Sequence, residues 1–223
     1  MKGLSYKNDL ALVHLKYFLH PYAIYKIFAQ DIAQKYGVSL NLLIRDNGLN
    51  PYIPLAVGQT IVIQFPDIIH TVNTGETLFD IAQNYNTTIN QLLRNNYYLK
   101  GNTEVYPGQE IVISYDSEKI GDINVNAYAY TYIGYDLLKS TLPYLTFLSP
   151  FTYGIDNNGG LIYINDKWMI DLAGNYRVQP LMHLSTLNEQ GVFSNETASN
   201  VFRNENVRTN LINNVEANLI NKG

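Results

Sequence analysis

Between residues 68 and 115, the order of hydrophobic and polar positions changes its period twice. The short segments 68–72 and 110–114 predict a strand at each end. Between them, apolar residues recur at the spacing of a helix face: Leu78, Ile81, Ala82 and Tyr85, then Ile89, Leu92 and Leu93. The segment therefore predicts strand, helix, helix, strand, with Thr77 capping the first helix and Thr87 or Thr88 opening the second.

Most of this pattern occurs twice in the chain. Residues 31–47 align with residues 80–96, and the sequence Asp-Ile-Ala-Gln opens both segments. The ends correspond as well, because residues 57–63 align with 107–113. A nearly constant shift of about 50 residues, with matching anchors at both ends, indicates that one module was duplicated.

The second copy resembles the LysM module, a βααβ unit that binds N-acetylglucosamine-containing glycans such as peptidoglycan and chitin. The resemblance rests on the segments 75–78, 81–82, 92–96 and 107–113 and on Tyr85. It implies a groove in which one loop faces another: Gly75, Glu76, Thr77 and Leu78 on one side, and Asn96, Tyr97, Tyr98 and Leu99 on the other. The alternative is that these residues have structural roles alone, with Gly75 required by a turn and the tyrosines by packing.

The first copy departs from the LysM pattern at its start. It has Lys26–Ala29 where the second copy has Gly75–Leu78, and residues 20–24 stand in place of the preceding strand. The apolar spacing from Leu10 to Gln34 favours a helix instead. We therefore expect a divergent segment (1–30), a partial LysM module (31–65) and an intact one (68–115).

After residues 116–119 the pattern changes to strands that alternate with helices. Strands are predicted over 123–133, 144–153 and 178–187, and helices over 137–142, 168–174 and 197–222. This alternation favours a parallel β/α architecture.

The segments 125–130, 142–153, 180–182 and 210–215 resemble the opening of a family-18 glycoside hydrolase barrel, as found in LysM-bearing N-acetylglucosaminidases that degrade the bacterial spore cortex. The fold class expected is thus α+β LysM modules followed by an incomplete (β/α) TIM barrel, its first three βα units spanning 120–223.

The resemblance implies a catalytic D-x-D-x-E signature on the fourth barrel strand, and no such signature occurs in the 223 residues. We therefore expect a chain truncated before its catalytic strand, assign no catalytic residue and expect no activity from the chain alone. One alternative is an active glycosidase whose catalytic strand lies beyond this chain. Another is a non-catalytic scaffold of the spore coat or wall.

Several side chains near the predicted strand ends either contact sugar or fill the barrel interior: Tyr128, Tyr130, Phe151, Tyr153, Met182 and Ser185. His183, which lies between two of them in sequence, is expected to be a buried histidine whose polar atoms are satisfied within the protein.

The composition of the chain restricts the classes of ligand and partner that it is expected to bind. The net charge of −4 argues against nucleic acid, and the absence of cysteine with only four histidines argues against a metal site or another cofactor. No apolar run reaches the length of a membrane span, and no clear signal peptide is visible. The expected partner is peptidoglycan or another N-acetylglucosamine glycan, and the expected location is the cell wall or the spore cortex or coat.

Overall fold

The computed structural model describes residues 10–14, 26–56, 58–115, 121–188 and 191–222. The chain divides into two compact units, Met1–Asp122 and Ile123–Gly223. Each unit combines helices with strands, which confirms the predicted mixture of α and β structure. Within the described ranges, no helix is both long enough and apolar enough to cross a bilayer.

The first repeat copy has a complete βααβ order within the first unit: β1 (Leu10–His14), α1 (Ala29–Tyr36), α2 (Leu40–Asn47) and β2 (Thr60–Gln64). The two strands pair antiparallel, with Leu10 opposite Gln64 and His14 opposite Thr60. The helix favoured from Leu10 onward is therefore wrong over 10–14, because these residues supply backbone partners to β2. Residues 20–24, which stand in place of the strand in the alignment of the two copies, lie outside the described residues.

Both helices of the first copy begin and end at recognisable signals. The Phe28 N–H donates to Asp31 Oδ2 (2.8 Å) at the start of α1, and Gly37 ends that helix at φ +67°. Ser39 caps α2 by accepting from the Leu42 N–H (3.3 Å). The two helices and β2 share one core of buried side chains: Ala29, Ile32, Ala33, Leu43, Ile61 and Ile63.

The second copy repeats this architecture with β3 (Pro66–Thr71), α3 (Leu78–Asn84), α4 (Ile89–Asn95), a 3-10 turn (Tyr97–Leu99) and β4 (Glu110–Tyr115). The strands β3 and β4, both predicted from the sequence, pair antiparallel. Thr77 caps α3 and Thr88 caps α4, so the sequence prediction of both helix starts is confirmed. The buried faces of the helices contain the predicted apolar positions Leu78, Ile81, Ala82, Leu92 and Leu93.

In each copy, an asparagine at the same repeat position bonds to the backbone of the last strand. The Asn96 amide donates to the Leu92 and Val112 carbonyls (2.8 Å each) and accepts from the Val112 N–H (2.9 Å). The equivalent Asn47 makes the same two bonds to the Val62 backbone (2.7 Å each) and a third to the Leu43 carbonyl (2.9 Å). Each amide thus joins the end of the second helix to the closing strand.

The second unit is built on a three-stranded parallel sheet in the order β5 (Asn126–Tyr130), β6 (Phe147–Phe151), β9 (Gln179–Pro180). Its helices are α5 (Tyr135–Thr141), α6 (Lys167–Asn175), α7 (Asn195–Arg203) and α8 (Glu205–Lys222), and a small hairpin joins β7 (Gly154–Ile155) to β8 (Leu161–Ile162). The parallel arrangement predicted from the alternation of strands and helices is confirmed. Whether it belongs to an incomplete barrel stays a prediction.

The predicted strands over 123–133 and 144–153 are reduced to five residues each, and two further elements of the second unit differ more from their prediction. The strand expected over 178–187 is reduced to Gln179–Pro180, with one further bridge between Tyr153 and Leu184. The long helix expected over 197–222 is divided into α7 and α8 at Asn204, whose backbone is extended (φ −105°, ψ 111°). Its side chain accepts from the Asn206 N–H (3.1 Å), a local bond that competes with helical pairing.

Candidate functional site

The first predicted groove segment, Gly75–Leu78, forms the turn that leads from β3 into α3. The Glu76 N–H donates to the Asn73 carbonyl (3.2 Å), and Gly75 has φ +81°. This left-handed conformation favours glycine, and a Cβ at Gly75 would face open space. The turn therefore depends on Gly75 for its backbone conformation and leaves the surface above it open.

Glu76 turns its carboxylate back onto the protein. Its Oε2 accepts from the Asn73 N–H (2.9 Å) and lies 2.7 Å from His70 Nε2 on β3. These two contacts, with the Asn73 bond the stronger cause, hold the pKa of Glu76 below its usual value. The other ring nitrogen of His70 lies 3.2 Å from the Tyr85 hydroxyl. The carboxylate therefore stabilises the turn.

Thr77 and Leu78 connect the turn to the helix. Thr77 Oγ1 accepts from the Asp80 N–H (3.2 Å) and donates to Asp80 Oδ2 (2.6 Å). The Thr77 hydroxyl, and after it the Thr77 N–H, which donates to the same Asp80 Oδ2 (2.9 Å), lower the pKa of Asp80 below its usual value. Thr77 is exposed, whereas Leu78 is fully buried in the module core. Leu78 therefore belongs to the module core and not to the accessible surface of the turn.

The second predicted segment, Asn96–Leu99, has two buried and two accessible side chains. Asn96 and Leu99 are buried, and the Asn96 amide is occupied by the backbone contacts described above. Tyr97 is about half exposed (47%), and its hydroxyl donates to the Asp46 carbonyl of the first copy (3.1 Å). Tyr98 is partly buried, and its hydroxyl donates to the Glu110 carbonyl (3.1 Å). We assign a structural role to Asn96 and Leu99.

The accessible part of the predicted groove is therefore smaller than the eight residues named from sequence. It consists of the Gly75 turn, Thr77, Tyr97 and the exposed part of Tyr98. Glu76 is the one carboxylate among the eight, and it is held by its own turn. Such a surface suits an uncharged ligand that is recognised by backbone, hydroxyl and aromatic contacts.

His70 was not among the residues selected from the sequence. Its role depends on the pairing of β3 with the turn that follows, and a single histidine among apolar residues carries no sequence signal for such a contact. Within the described residues, no group of three or more histidines and carboxylates is placed to hold a metal ion.

A second candidate surface lies in the second unit, at the carboxyl ends of the parallel strands. An open cleft of about 250 Å³ is lined by Tyr128, Tyr130, Phe151 and His183. The His183 ring stacks on Phe151 (5.0 Å between centroids) and meets Tyr128 edge-on (5.2 Å). Its Nδ1 lies 2.8 Å from Thr152 Oγ1. His183 is half-buried and lines the cleft, whereas the sequence favoured a buried histidine.

Other side chains expected near the strand ends lie elsewhere. Tyr153 is buried (2% exposed) and donates to Asp166 Oδ2 (2.6 Å), and Lys222 contacts both groups. Burial raises the pKa of Tyr153 well above its usual range. Met182 lines a separate pocket next to this cluster, and Ser185 accepts from Thr152 Oγ1 (3.1 Å). The cleft therefore contains only part of the predicted set.

Comparison with known proteins supports the interpretation of the first unit. The family model described as "LysM domain" matches residues 29–64 and 70–114. The predicted LysM resemblance is thereby confirmed. The match extends over both repeat copies, including the one whose first loop differs.

The chain is also similar to longer proteins. It is 30% identical over 187 residues to YdhD of Bacillus subtilis (strain 168), whose name assigns it as a sporulation-specific glycosylase; the alignment covers 83% of this chain and 43% of YdhD. The spore cortex-lytic enzymes SleL of Bacillus cereus and Bacillus megaterium QM B1551 have a similar fold, each with a TM-score of 0.53 and 22% identity. These alignments cover 93% and 89% of this chain but only 47% and 48% of the two enzymes. The chain thus spans less than half the length of these relatives.

Proposed function

We propose that this chain binds N-acetylglucosamine-containing glycan, chiefly peptidoglycan, through the second LysM copy (68–115), and that it acts at the cell wall or in the spore. The LysM family match and the similarity to a sporulation-specific glycosylase support this proposal. The main structural support for this proposal is the Gly75 turn. Its backbone is accessible, because a Cβ at Gly75 would face open space, and the turn is followed by an exposed Thr77 and a buried Leu78. The amide of an N-acetyl group suits such a place, because it can pair with the exposed backbone of the turn.

A sedimentation assay with insoluble, purified peptidoglycan tests the binding proposal. The whole chain should sediment with the glycan, and a Gly75→Trp variant should remain in the supernatant. Gly37→Trp is the matched control, because Gly37 also has a positive φ (+67°) with open space around its Cβ, but it lies in the first copy at the end of α1. Equal sedimentation of both variants would contradict the groove assignment, and failure of the unaltered chain to sediment would contradict the function.

We further propose that residues 120–223 form the first three βα units of a family-18 glycoside hydrolase barrel. Support comes from the parallel order β5-β6-β9, from the helices between the strands and from the fold similarity to SleL. A barrel of this kind has its site at the carboxyl ends of its strands. The aromatic cleft lies at this end of the sheet, since Tyr130 and Phe151 are the last residues of β5 and β6.

The cleft favours a second candidate function, glycan contact by the second unit as part of a glycosidase. Its rings suit the apolar face of a sugar. If the cleft contacts glycan, a Gly75→Trp chain that no longer sediments should still bind an N-acetylglucosamine hexamer weakly, and adding Tyr130→Ala should remove this weak binding. Tyr163→Ala is the control, because Tyr163 is also exposed but lies outside the cleft. Identical binding of the hexamer by both variants would mean that the aromatic side chains of the cleft pack against one another and do not contact glycan.

A further inference from the structure

The duplication places an arginine at the same position of each copy, and the two arginines make different contacts. Arg45 lies in the last turn of α2 and Arg94 in the last turn of α4. Arg94 is exposed, and its guanidinium donates to the side chain of Gln91 on its own helix (2.7 Å). Arg45 instead extends from the first copy onto the second.

Arg45 contacts the second copy in two ways. Its guanidinium carbon lies 3.8 Å from the centre of the Tyr98 ring, and Nη1 donates to the Glu110 carbonyl (3.2 Å). The Tyr98 hydroxyl donates to the same carbonyl (3.1 Å) and accepts from Gln109 Nε2 (3.0 Å). The ring of Tyr98 is therefore held by the first copy while its hydroxyl is held by the start of β4.

Neighbouring contacts hold the same region. Tyr97 donates to the carbonyl of Asp46, the residue after Arg45 (3.1 Å), and Ser39 Oγ donates to Glu110 Oε2 (2.6 Å). Both tyrosines of the Asn96–Leu99 segment are thus attached to the end of α2. The first copy, whose own strand-to-helix loop differs, supplies the surface against which this segment rests.

We propose that Arg45 of the first LysM copy is a positioning residue for the glycan groove of the second copy, because it fixes the Tyr98 ring against the start of β4. This inference rests on the proposed function, since it assigns a role within that groove. The planar guanidinium is important, because it can lie flat on a ring and donate sideways at the same time, which an ammonium group cannot do. The first copy then acts as a support for the second groove, whether or not it binds glycan itself.

The test measures the affinity of the whole chain for an N-acetylglucosamine hexamer by calorimetry. Arg45→Ala should weaken binding about fivefold, a loss in the range of one cation–π contact. Arg45→Lys should restore only part of that loss. Arg94→Ala, the same change at the equivalent repeat position, should leave the affinity within about twofold of the unaltered chain.

A double-variant comparison separates positioning from a general loss of structure. If Arg45 acts through Tyr98, adding Arg45→Ala to Tyr98→Ala should weaken binding no further. The amide NMR signals of Tyr97–Lys100 should shift in Arg45→Ala without ligand, while those of α3 stay in place. Full affinity of Arg45→Ala, or an equal further loss in the Tyr98→Ala background, would overturn the inference and leave the proposed function intact. If the unaltered chain does not bind the hexamer or peptidoglycan, the function and the inference both fail.

Discussion

The two LysM copies keep the residues that build the module and differ in the residues proposed to meet the ligand. Both have two helices, an antiparallel strand pair and an asparagine that joins the second helix to the closing strand. The connection from the first strand to the first helix differs, comprising residues 15–28 in the first copy and 72–77 in the second. Thr77 caps α3 with its side chain, whereas Phe28 stands at the same position before α1.

This difference shows that the fold of the module does not depend on the Gly-Glu-Thr-Leu turn. The first copy forms its core and its helices without that turn. The elements that both copies share are the helices, the asparagine and the closing strand, so the fold does not require the turn that is proposed to bind. In the first copy the end of α2 has a different use, as a contact surface for the second.

The largest effect is expected from shortening a core side chain that both copies share. Ile81 and its equivalent Ile32 are both buried in the first helix of their copy. Ile81→Ala and Ile32→Ala should each lower the free energy of unfolding by about 3 kcal/mol, because each leaves a cavity. Urea unfolding followed by circular dichroism measures both. A loss below about 1 kcal/mol in Ile32→Ala alone would mean that the first copy is loosely packed.

The asparagine pair should give the next largest effect. Asn96→Ala leaves the Val112 N–H and two carbonyls without the amide, so we expect a loss of about 2.5 kcal/mol. Asn47→Ala should cost about 2 kcal/mol, because Asn47 is only half-buried and water can reach part of its site. The same urea experiment compares them. Equal losses would show that both closing strands are shielded from water to the same degree.

The sequence predicted this shared scaffold well, because its signals are local. Apolar spacing located α3 and α4, and the threonines before them indicated both caps. The functional contacts were harder to predict. Arg45 and Arg94 occupy equivalent positions, yet only the fold shows that Arg45 lies on Tyr98. No local pattern distinguishes an arginine that contacts its own helix from one that contacts a neighbouring module.

The same limit explains the errors. The strand β1 was predicted as helix, because residues 10–14 pair with a segment that lies far along the chain, and spacing alone does not reveal this pairing. The LysM resemblance placed Asn96 in the groove, whereas in the structure its amide bonds to backbone groups. Its equivalence with Asn47 was visible in the sequence and could have indicated a structural role in both copies.

A smaller effect is expected at the helix caps, where stability and binding can be separated. Thr77→Ala and Thr88→Ala each remove a side-chain cap of the second copy, and each should lower the free energy of unfolding by about 1 kcal/mol. Only Thr77→Ala should also weaken sedimentation with peptidoglycan, because Thr88 lies outside the proposed groove. Equal binding by the two variants would contradict a role for Thr77 in glycan contact.

The smallest effect concerns Glu76, whose first-copy equivalent is the apolar Ile27. The Asn73 N–H and His70 hold the pKa of Glu76 below its ordinary value of 4.5. A lowered pKa in the folded chain means that the ionised carboxylate adds stability above pH 4.5, and that this stability is lost as the pH falls through the lowered value.

Glu76→Gln removes the titration while it keeps the size of the side chain. The stability of the unaltered chain should therefore fall more steeply than that of Glu76→Gln between about pH 5 and pH 3. Asp80, whose pKa is also lowered, titrates in both proteins and cancels in the difference. Urea midpoints measured across this range supply that difference, and a constant offset at every pH would show that Glu76 does not hold the turn through its charge.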